Sequence, residues 1–414
     1  MKEVHKRMAS LADDGTLRVL EENQSAVAVA AAKIANKPVA LAALDPAKKG
    51  GALGYLEGQS LLRGISLAKE AGAPFGLMCQ SAGADMTGSQ LSLSGAGAVF
   101  RALHALETPR IYLSYGPCIG AAAYMATLSD VVLAVRGMSA FCLTGPKIVA
   151  RAIYEEAILD EIGGAEAVAR RGGIHLLANT TEAMEENCRK IVGFVKEKHV
   201  RPKDPMGEKD IETMEGIIDG IVDKESATIL WPRWAPHTIA LFARLKGMGV
   251  GIFANNPRVA AGVLDRAAAE KAATFYRLCD RFHLPVISLA DTPGFLPGSV
   301  SEEEGVLKGG AAMIGAYLNH RWKKSTVAVG RVLGGSYMAM GCKEMGADAY
   351  YALKDAQIGV TGEDMAAEIL HLRGKNIEEY RSMHLSIEAA KAEGLVDHIL
   401  SPDALRESLW EALS

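Results

Sequence analysis

Apolar runs and turn residues follow one another in the same order in two distant parts of the chain. The stretches Ala71-Gly-Ala-Pro-Phe-Gly-Leu-Met-Cys-Gln-Ser-Ala-Gly83 and His283-Leu-Pro-Val-Ile-Ser-Leu-Ala-Asp-Thr-Pro-Gly294 each open an apolar run after a proline, Pro74 or Pro285. Each reaches a glycine nine residues beyond that proline. A short apolar run bounded by turn residues predicts a buried parallel strand leading into a loop. A second pair of β-like runs, 110–114 and 326–329, leads into Gly116-Pro-Cys-Ile-Gly-Ala-Ala-Ala-Tyr-Met-Ala126 and Gly330-Arg-Val-Leu-Gly-Gly-Ser-Tyr-Met-Ala339. Both of these open small-residue helices. A third pair begins at Asp130 and Asp348 and ends in Phe141-Cys-Leu-Thr-Gly145 and Ile358-Gly-Val-Thr-Gly362, with Asp-to-Gly spacings of 15 and 14 residues.

Three matched pairs in the same order define an internal duplication with a period of about 210 residues, too long for a solenoid array. Strands that alternate with glycine turns and helices make each half an α/β lobe with mostly parallel strands. Between the halves, Arg201-Pro-Lys-Asp-Pro-Met-Gly-Glu208 is proline-rich and charged, as linkers are. Residues 211–222 then read as a short amphipathic helix. The expected lobes are 1–205 and 206–414.

Composition narrows the picture. A chain of 414 residues is long enough for two or three domains. Its 45 basic against 49 acidic residues leave −4, too balanced for nucleic acid or an anionic membrane surface as the main partner. Glycine is enriched at 43 of 414, and aromatics at 6% are scarce, which predicts cores of Ala, Val, Ile, Leu and Met. The six cysteines, at 79, 118, 142, 188, 279 and 342, form no C-x-x-C pair and read as reduced, mostly buried thiols. No apolar signal segment opens the chain, and the apolar stretch 26–44 is broken by Lys33, Lys37 and Pro38. A soluble, cytoplasmic protein is expected.

The chemistry lies in the glycine turns. Backbone N–H groups left unpaired between a strand and a helix stabilise negative charge on an oxygen. Aimed at a thioester carbonyl they form an oxyanion hole, each donor worth roughly 3–4 kcal/mol. One such turn is more simply explained by tight strand–helix packing, but two matching turns in matching lobes call for a duplicated cause. No P-loop, dinucleotide-binding fingerprint, G-x-S-x-G elbow or H-E-x-x-H pair is present, and no metal site is expected. His104, His175 and His283 read as structural or surface residues. Asp291 reads as an anchor of the loop at Gly294, with a catalytic carboxylate as the alternative. Lys48 and Lys49 suit either the phosphates of a nucleotide-like ligand or a solvated loop.

The block Leu241-Phe-Ala-Arg-Leu-Lys-Gly-Met-Gly-Val-Gly-Ile-Phe-Ala-Asn-Asn-Pro257, with Asp265, Lys271-Ala-Ala273 and Asp291-Thr-Pro-Gly-Phe-Leu-Pro-Gly298, resembles the carboxyltransferase (β) subunit of biotin-dependent acyl-CoA carboxylases. So do Gly334-Gly-Ser-Tyr337, Ala392-Glu-Gly-Leu-Val-Asp397, Gly116-Pro-Cys-Ile-Gly120, Thr144-Gly-Pro146, Glu161-Ile-Gly-Gly-Ala165 and Gly172-Gly-Ile-His175. The resemblance implies two homologous crotonase-like (ClpP/crotonase) lobes and an active site shared between the first lobe of one subunit and the second lobe of another, hence a homo-oligomer of at least two chains. It implies a carboxyl group moved between carboxybiotin and the α carbon of an acyl-CoA through an enolate, with two backbone oxyanion holes as the main catalytic devices. The amides of Gly120 and Ala121 would hold the thioester oxygen, and those of Gly335 and Ser336 the ureido oxygen of biotin. Ala82, Gly83, Gly116, Gly294 and Met338 would line the substrate sites. The chain has no A-M-K-M biotin-attachment sequence, so the resemblance implies biotin on a separate biotin carboxyl carrier protein, and a biotin carboxylase, as partners.

Gln80-Ser-Ala-Gly-Ala-Asp85 departs from the family's Asp-Ser-Gly-Gly-Ala-Arg and reverses a charge at Asp85, while Met338 stands where many members have Asp. These departures keep two alternatives open: an acyl-CoA decarboxylase on the same scaffold, and a non-catalytic CoA-binding subunit.

Overall fold

The computed structural model describes residues 2–21, 25–88, 90–195 and 212–414. The chain folds as two units, Met1–Val195 and Lys196–Ser414. The expected boundary near 205 and the proline-rich stretch 201–208 lie outside the described residues. The amphipathic run that follows forms the helix Met214–Ile221.

The strands of the first unit are β1 (Arg18–Glu21), β2 (Val27–Ile34), β3 (Lys37–Leu44), β4 (Phe75–Ser81), β5 (Arg110–Ile119), β6 (Val131–Val135), β7 (Ala140–Cys142) and β8 (Leu176–Ala178). They form one sheet in the order β1-β2-β3-β4-β5-β6-β8, with β7 paired to the far end of β5. The β1–β2 and β2–β3 pairs are antiparallel and the rest are parallel. The helices Tyr55–Ala71 and Leu91–Ala105 cover one face. There Leu61, Ile65, Val99 and Leu103 pack with Val29, Ala42, Phe75, Leu77 and Tyr112. Each Leu or Phe so buried stabilises the lobe by about 1.5–3 kcal/mol.

The second unit repeats this plan element by element. Its strands are β9 (Thr228–Leu230), β10 (Thr238–Leu245), β11 (Met248–Asn255), β12 (Val286–Thr292), β13 (Lys324–Leu333), β14 (Ala349–Leu353), β15 (Gln357–Gly359) and β16 (His398–Leu400). Their order is β9-β10-β11-β12-β13-β14-β16, with β15 paired to β13. Each strand of the first sheet therefore has its counterpart eight strands later, in the same position.

The likeness extends to single residues. The β2–β3 hairpin turns through Ala35 and Asn36, and the β10–β11 hairpin through Lys246 and Gly247, all four with positive φ. In each lobe one aspartate accepts both turn amides: Asp13 takes Ala35 and Asn36 at 3.0 and 2.7 Å, and Asp223 takes Lys246 and Gly247 at 2.9 and 2.7 Å. The two aspartates noted in the repeat also have matching tasks. Asp130 accepts the Arg110 amide at 2.8 Å, and Asp348 the Lys324 amide at 2.8 Å, which clamps the starts of adjacent strands.

One expectation needs correction. Aromatics are few, but the second lobe concentrates them. Phe242, Phe253, Phe275, Tyr276, Phe282 and Tyr317 are buried together between the sheet and the helices Arg266–Phe282 and Val306–Leu318. Ring centroids of Phe242 and Phe282 lie 5.2 Å apart, and those of Tyr276 and Tyr317 5.3 Å. A low overall fraction does not reveal clustering. Among the described residues no helix is long and apolar enough to cross a membrane.

Candidate active site

Each lobe builds its glycine turn in the same way. At the end of β5 the chain turns at Gly120, with φ 59° and ψ −118°, into the helix Ala121–Thr127. At the end of β13 it turns at Gly334, also with φ 59°, through Gly335 into the helix Ser336–Ala339. A side chain at either φ is strained, which is why glycine stands there. The Gly120 amide donates to the Cys142 carbonyl of β7 at 3.0 Å, and the Gly334 amide to the Gly359 carbonyl of β15 at 2.8 Å. The short strand thus pins the turn from outside and aligns the amides that follow.

In the repeat Gly120 corresponds to Gly334, Ala121 to Gly335 and Ala122 to Ser336, so the expected pairs Gly120/Ala121 and Gly335/Ser336 sit one residue apart. The Gly120 amide is engaged with Cys142. Ser336 is fully buried, its hydroxyl donating to the Leu333 carbonyl at 2.7 Å. The amides of Ala121 and Gly335 have no acceptor among the described residues, and both residues reach the surface, Gly335 the more openly.

The residues expected to line the substrate sites lie in different surroundings. Gly83 and Gly294, at φ 105° and 122°, bring their loops against the backbone of Ile119 and Leu333, the residues that precede the two turns. Gly116, expected on the lining, packs against the Gln80 side chain. It is buried under the Gln80 side chain, where a Cβ would come within 2.6 Å of Gln80 Cδ. Gly330 lies in the same relation to Asp291, at 2.4 Å from its Cγ. The Asp291 carboxylate accepts the Arg331 amide at 3.0 Å and anchors the strand end. Ala82 is exposed on the first-lobe loop.

Beside that loop Lys49 pairs with Asp85 at 2.8 Å. Hydrogen bonds from Lys49 and Thr87 hold the Asp85 carboxyl down to about 2. The Lys48 ammonium donates to the Ser25 carbonyl at 2.9 Å. His175 is buried, and its Nδ1 accepts the Val132 amide at 3.1 Å; burial pushes its pKa down to about 3. All six cysteines are free. Among the described residues no group of three or more His, Cys, Asp and Glu side chains is arranged to hold a metal ion.

In the second lobe Gly334, Gly335 and Met338 open onto a cavity of about 760 Å³. Its walls are largely apolar, with Met345, Ile358, Val360 and Leu395 among them. Tyr337, Cys342, Glu344 and His384 add polar groups. Apart from Tyr337, which stands in the glycine-rich motif, no sequence signal marks these polar residues. A wall assembled from four segments between residues 334 and 395 leaves no local pattern.

Comparison with known proteins agrees with this architecture. A family model described as a carboxyl transferase domain matches residues 14–414. The chain is 33% identical over 413 residues to the methylmalonyl-CoA carboxyltransferase 12S subunit of Propionibacterium freudenreichii subsp. shermanii, covering 92% of this chain and 79% of that one. It is 32% identical over 397 residues to the propionyl-CoA carboxylase carboxyltransferase subunit of Haloferax mediterranei, covering 87% and 76%. It is 31% identical over 402 residues to the methylmalonyl-CoA decarboxylase subunit alpha of Veillonella parvula, covering 90% and 78%. The solved transcarboxylase 12S hexamer with methylmalonyl-coenzyme A and methylmalonic acid bound superposes with a TM-score of 0.94 at 30% identity, over 99% of this chain and 89% of that one.

Proposed function

We propose, from the premise that the chain belongs to the carboxyl transferase domain family, that it moves a carboxyl group between carboxybiotin and the α carbon of an acyl-CoA, with propionyl-CoA and methylmalonyl-CoA as the substrate pair. The observation that carries this is the recurrence of one turn, 119–121 and 333–335, at the same point of two identically ordered sheets. A reaction with two carbonyl oxygens to stabilise needs two such devices. The pair of acyl groups is the one shared by the names of the related carboxyltransferase, carboxylase and decarboxylase.

The first-lobe turn offers the Ala121 amide to the thioester oxygen, where negative charge grows as the α carbon loses its proton. A fixed donor at that place lowers the barrier by about 3–4 kcal/mol, and it requires no reorganisation because β7 already pins the turn. The second-lobe turn offers the Gly335 amide to the ureido oxygen of biotin. The cavity beside Gly335 suits that group: about 760 Å³, mostly apolar, with a free amide at its edge. Bound there on its carrier, biotin supplies the carboxyl group and accepts it back in the reverse direction. Holding both reactants beside these amides converts a bimolecular encounter into an intramolecular one. No catalytic Ser or His is required, because the ureido nitrogen freed of its carboxyl group would take the α proton. A biotin carboxylase and a biotin carboxyl carrier protein are the partners this reading requires, and the resemblance to a hexameric relative supports assembly into a homo-oligomer.

A second reading, an acyl-CoA decarboxylase, is favoured by the decarboxylase alpha subunits among the relatives. One experiment separates the two. Purified protein is given malonyl-, methylmalonyl- and glutaconyl-CoA with and without free biotin, and CO2 release is followed. Release that needs biotin and is fastest with methylmalonyl-CoA is the expected result. Release without biotin refutes the carboxyltransferase reading.

A further inference from the structure

The cavity beside Gly335 holds a carboxylate that the chemistry above does not use. Glu344 stands in its wall, and Tyr337 Oη donates to Glu344 Oε2 at 3.3 Å. Its own backbone N–H, the neighbouring Cys342 thiol and the Tyr337 hydroxyl hold the Glu344 carboxyl below the usual carboxylate range. Burial pushes the Cys342 thiol up to about 11 and raises the Tyr337 phenol as well. Both therefore remain protonated donors and do not compete with Glu344 as acceptors. A carboxylate has about four lone-pair sites, so the Tyr337 hydroxyl orients it and leaves capacity for a ligand N–H.

We propose that Glu344 is a binding residue for a cyclic urea: its carboxylate accepts the ring N–H while the Gly335 amide holds the ring carbonyl. This rests on the carboxyltransferase reading. A cyclic urea carries its carbonyl between two ring nitrogens. One exchanges the carboxyl group, and the other keeps its hydrogen throughout. That N–H enters a cavity where the side chains of Met338, Met345 and Leu395 offer it no strong acceptor, whereas Glu344, exposed at the rim, does. Backbone amides cannot accept it. Glu344 is the carboxylate in this wall that protein donors already orient, so it also decides which ring nitrogen faces the acyl-CoA.

The test is a ligand-detected NMR titration of the purified protein with free biotin and with biotin methylated on the ureido nitrogen that does not carry the carboxyl group. Wild-type protein should bind biotin roughly tenfold more tightly than the methylated compound, as expected for a hydrogen bond to a charged acceptor. Glu344→Met, of similar length but with no acceptor, should lose the preference. Glu344→Gln, which keeps an acceptor oxygen, should retain part of it. KM for methylmalonyl-CoA should stay unchanged in both variants, which a merely structural role would not guarantee. A preference as large in Glu344→Met as in wild type, or none in wild type that binds biotin, overturns the proposal. Failure of wild type to bind biotin, together with biotin-independent CO2 release, removes the carboxyltransferase reading itself.

Discussion

Substitutions at two adjacent glycines should separate folding from turnover. Gly335 has φ −60° and ψ −15°, ordinary helical values, and a Cβ there would lie 3.5 Å from the Phe295 ring. That is normal contact, and its counterpart in the first lobe already carries a Cβ, as Ala121. Gly335→Ala should therefore change stability by no more than about 0.5 kcal/mol and retain most activity. Gly335→Val adds an isopropyl group beside the free amide and should lower biotin-dependent turnover about 10²–10³-fold, the loss measured when an oxyanion donor is removed. Gly334 is different. Its φ of 59° and a Val360 carbonyl 3.3 Å from the added Cβ make Gly334→Ala strained, at about 1–3 kcal/mol. For a lobe of this size each kcal/mol lowers Tm by about 2–4 °C, so Gly334→Ala should melt roughly 2–12 °C earlier. Calorimetric melts and CO2 release from methylmalonyl-CoA with and without biotin would measure both effects. Full activity in Gly335→Val, or an unchanged Tm in Gly334→Ala, would refute the assignment of the turn.

Asp223 accepts the two hairpin amides and pairs with Arg406, both side chains being largely buried. Asp223→Ala leaves that arginine uncompensated and should destabilise the second lobe by about 3–5 kcal/mol, read by urea unfolding. His175 remains neutral in the fold because burial pushes its pKa down to about 3, whereas the unfolded chain protonates near 6.5. Its stabilisation is thus complete above pH 6.5 and falls by up to about 1.4 kcal/mol per pH unit as the pH drops towards 3. Urea midpoints between pH 7.5 and 5 should show that slope in wild type and a shallower one in His175→Gln. Asp85 puts a negative charge on the first-lobe loop beside Lys49. Asp85→Asn should lower KM for the anionic acyl-CoA a few-fold at low salt, and the gain should vanish near 1 M salt, where the Debye length is about 3 Å.

The duplication was readable in the sequence because strands buried on both faces write continuous apolar runs, and β4 and β12 are such strands. The turns were readable because positive φ selects glycine. Register was not. Nothing in Ile-Gly-Ala-Ala or Leu-Gly-Gly-Ser tells which amide is taken by a neighbouring strand, because the acceptors, the carbonyls of Cys142 and Gly359, lie more than twenty residues away. The paired hairpin aspartates escaped notice for the same reason, with Asp13 and Asp223 each about twenty-two residues from the turn it holds. A glycine that clears space for a side chain, as Gly116 does for Gln80, looks in sequence like one that clears space for a ligand.

The two lobes differ where a ligand would lie and agree where it would not. Hairpin aspartates, strand clamps, the glycine pinned by the short strand, and the glycine under Gln80 or Asp291 recur at matched positions. The exposed positions do not recur: Ala121 faces Gly335 in the repeat and Tyr124 faces Met338. Packing holds the recurring set in place and leaves the exposed set free to diverge. The proposed function gives that divergence a use: two ligands of different shape, each presenting an oxygen to the same turn. The amide is common to both lobes and the wall around it is not.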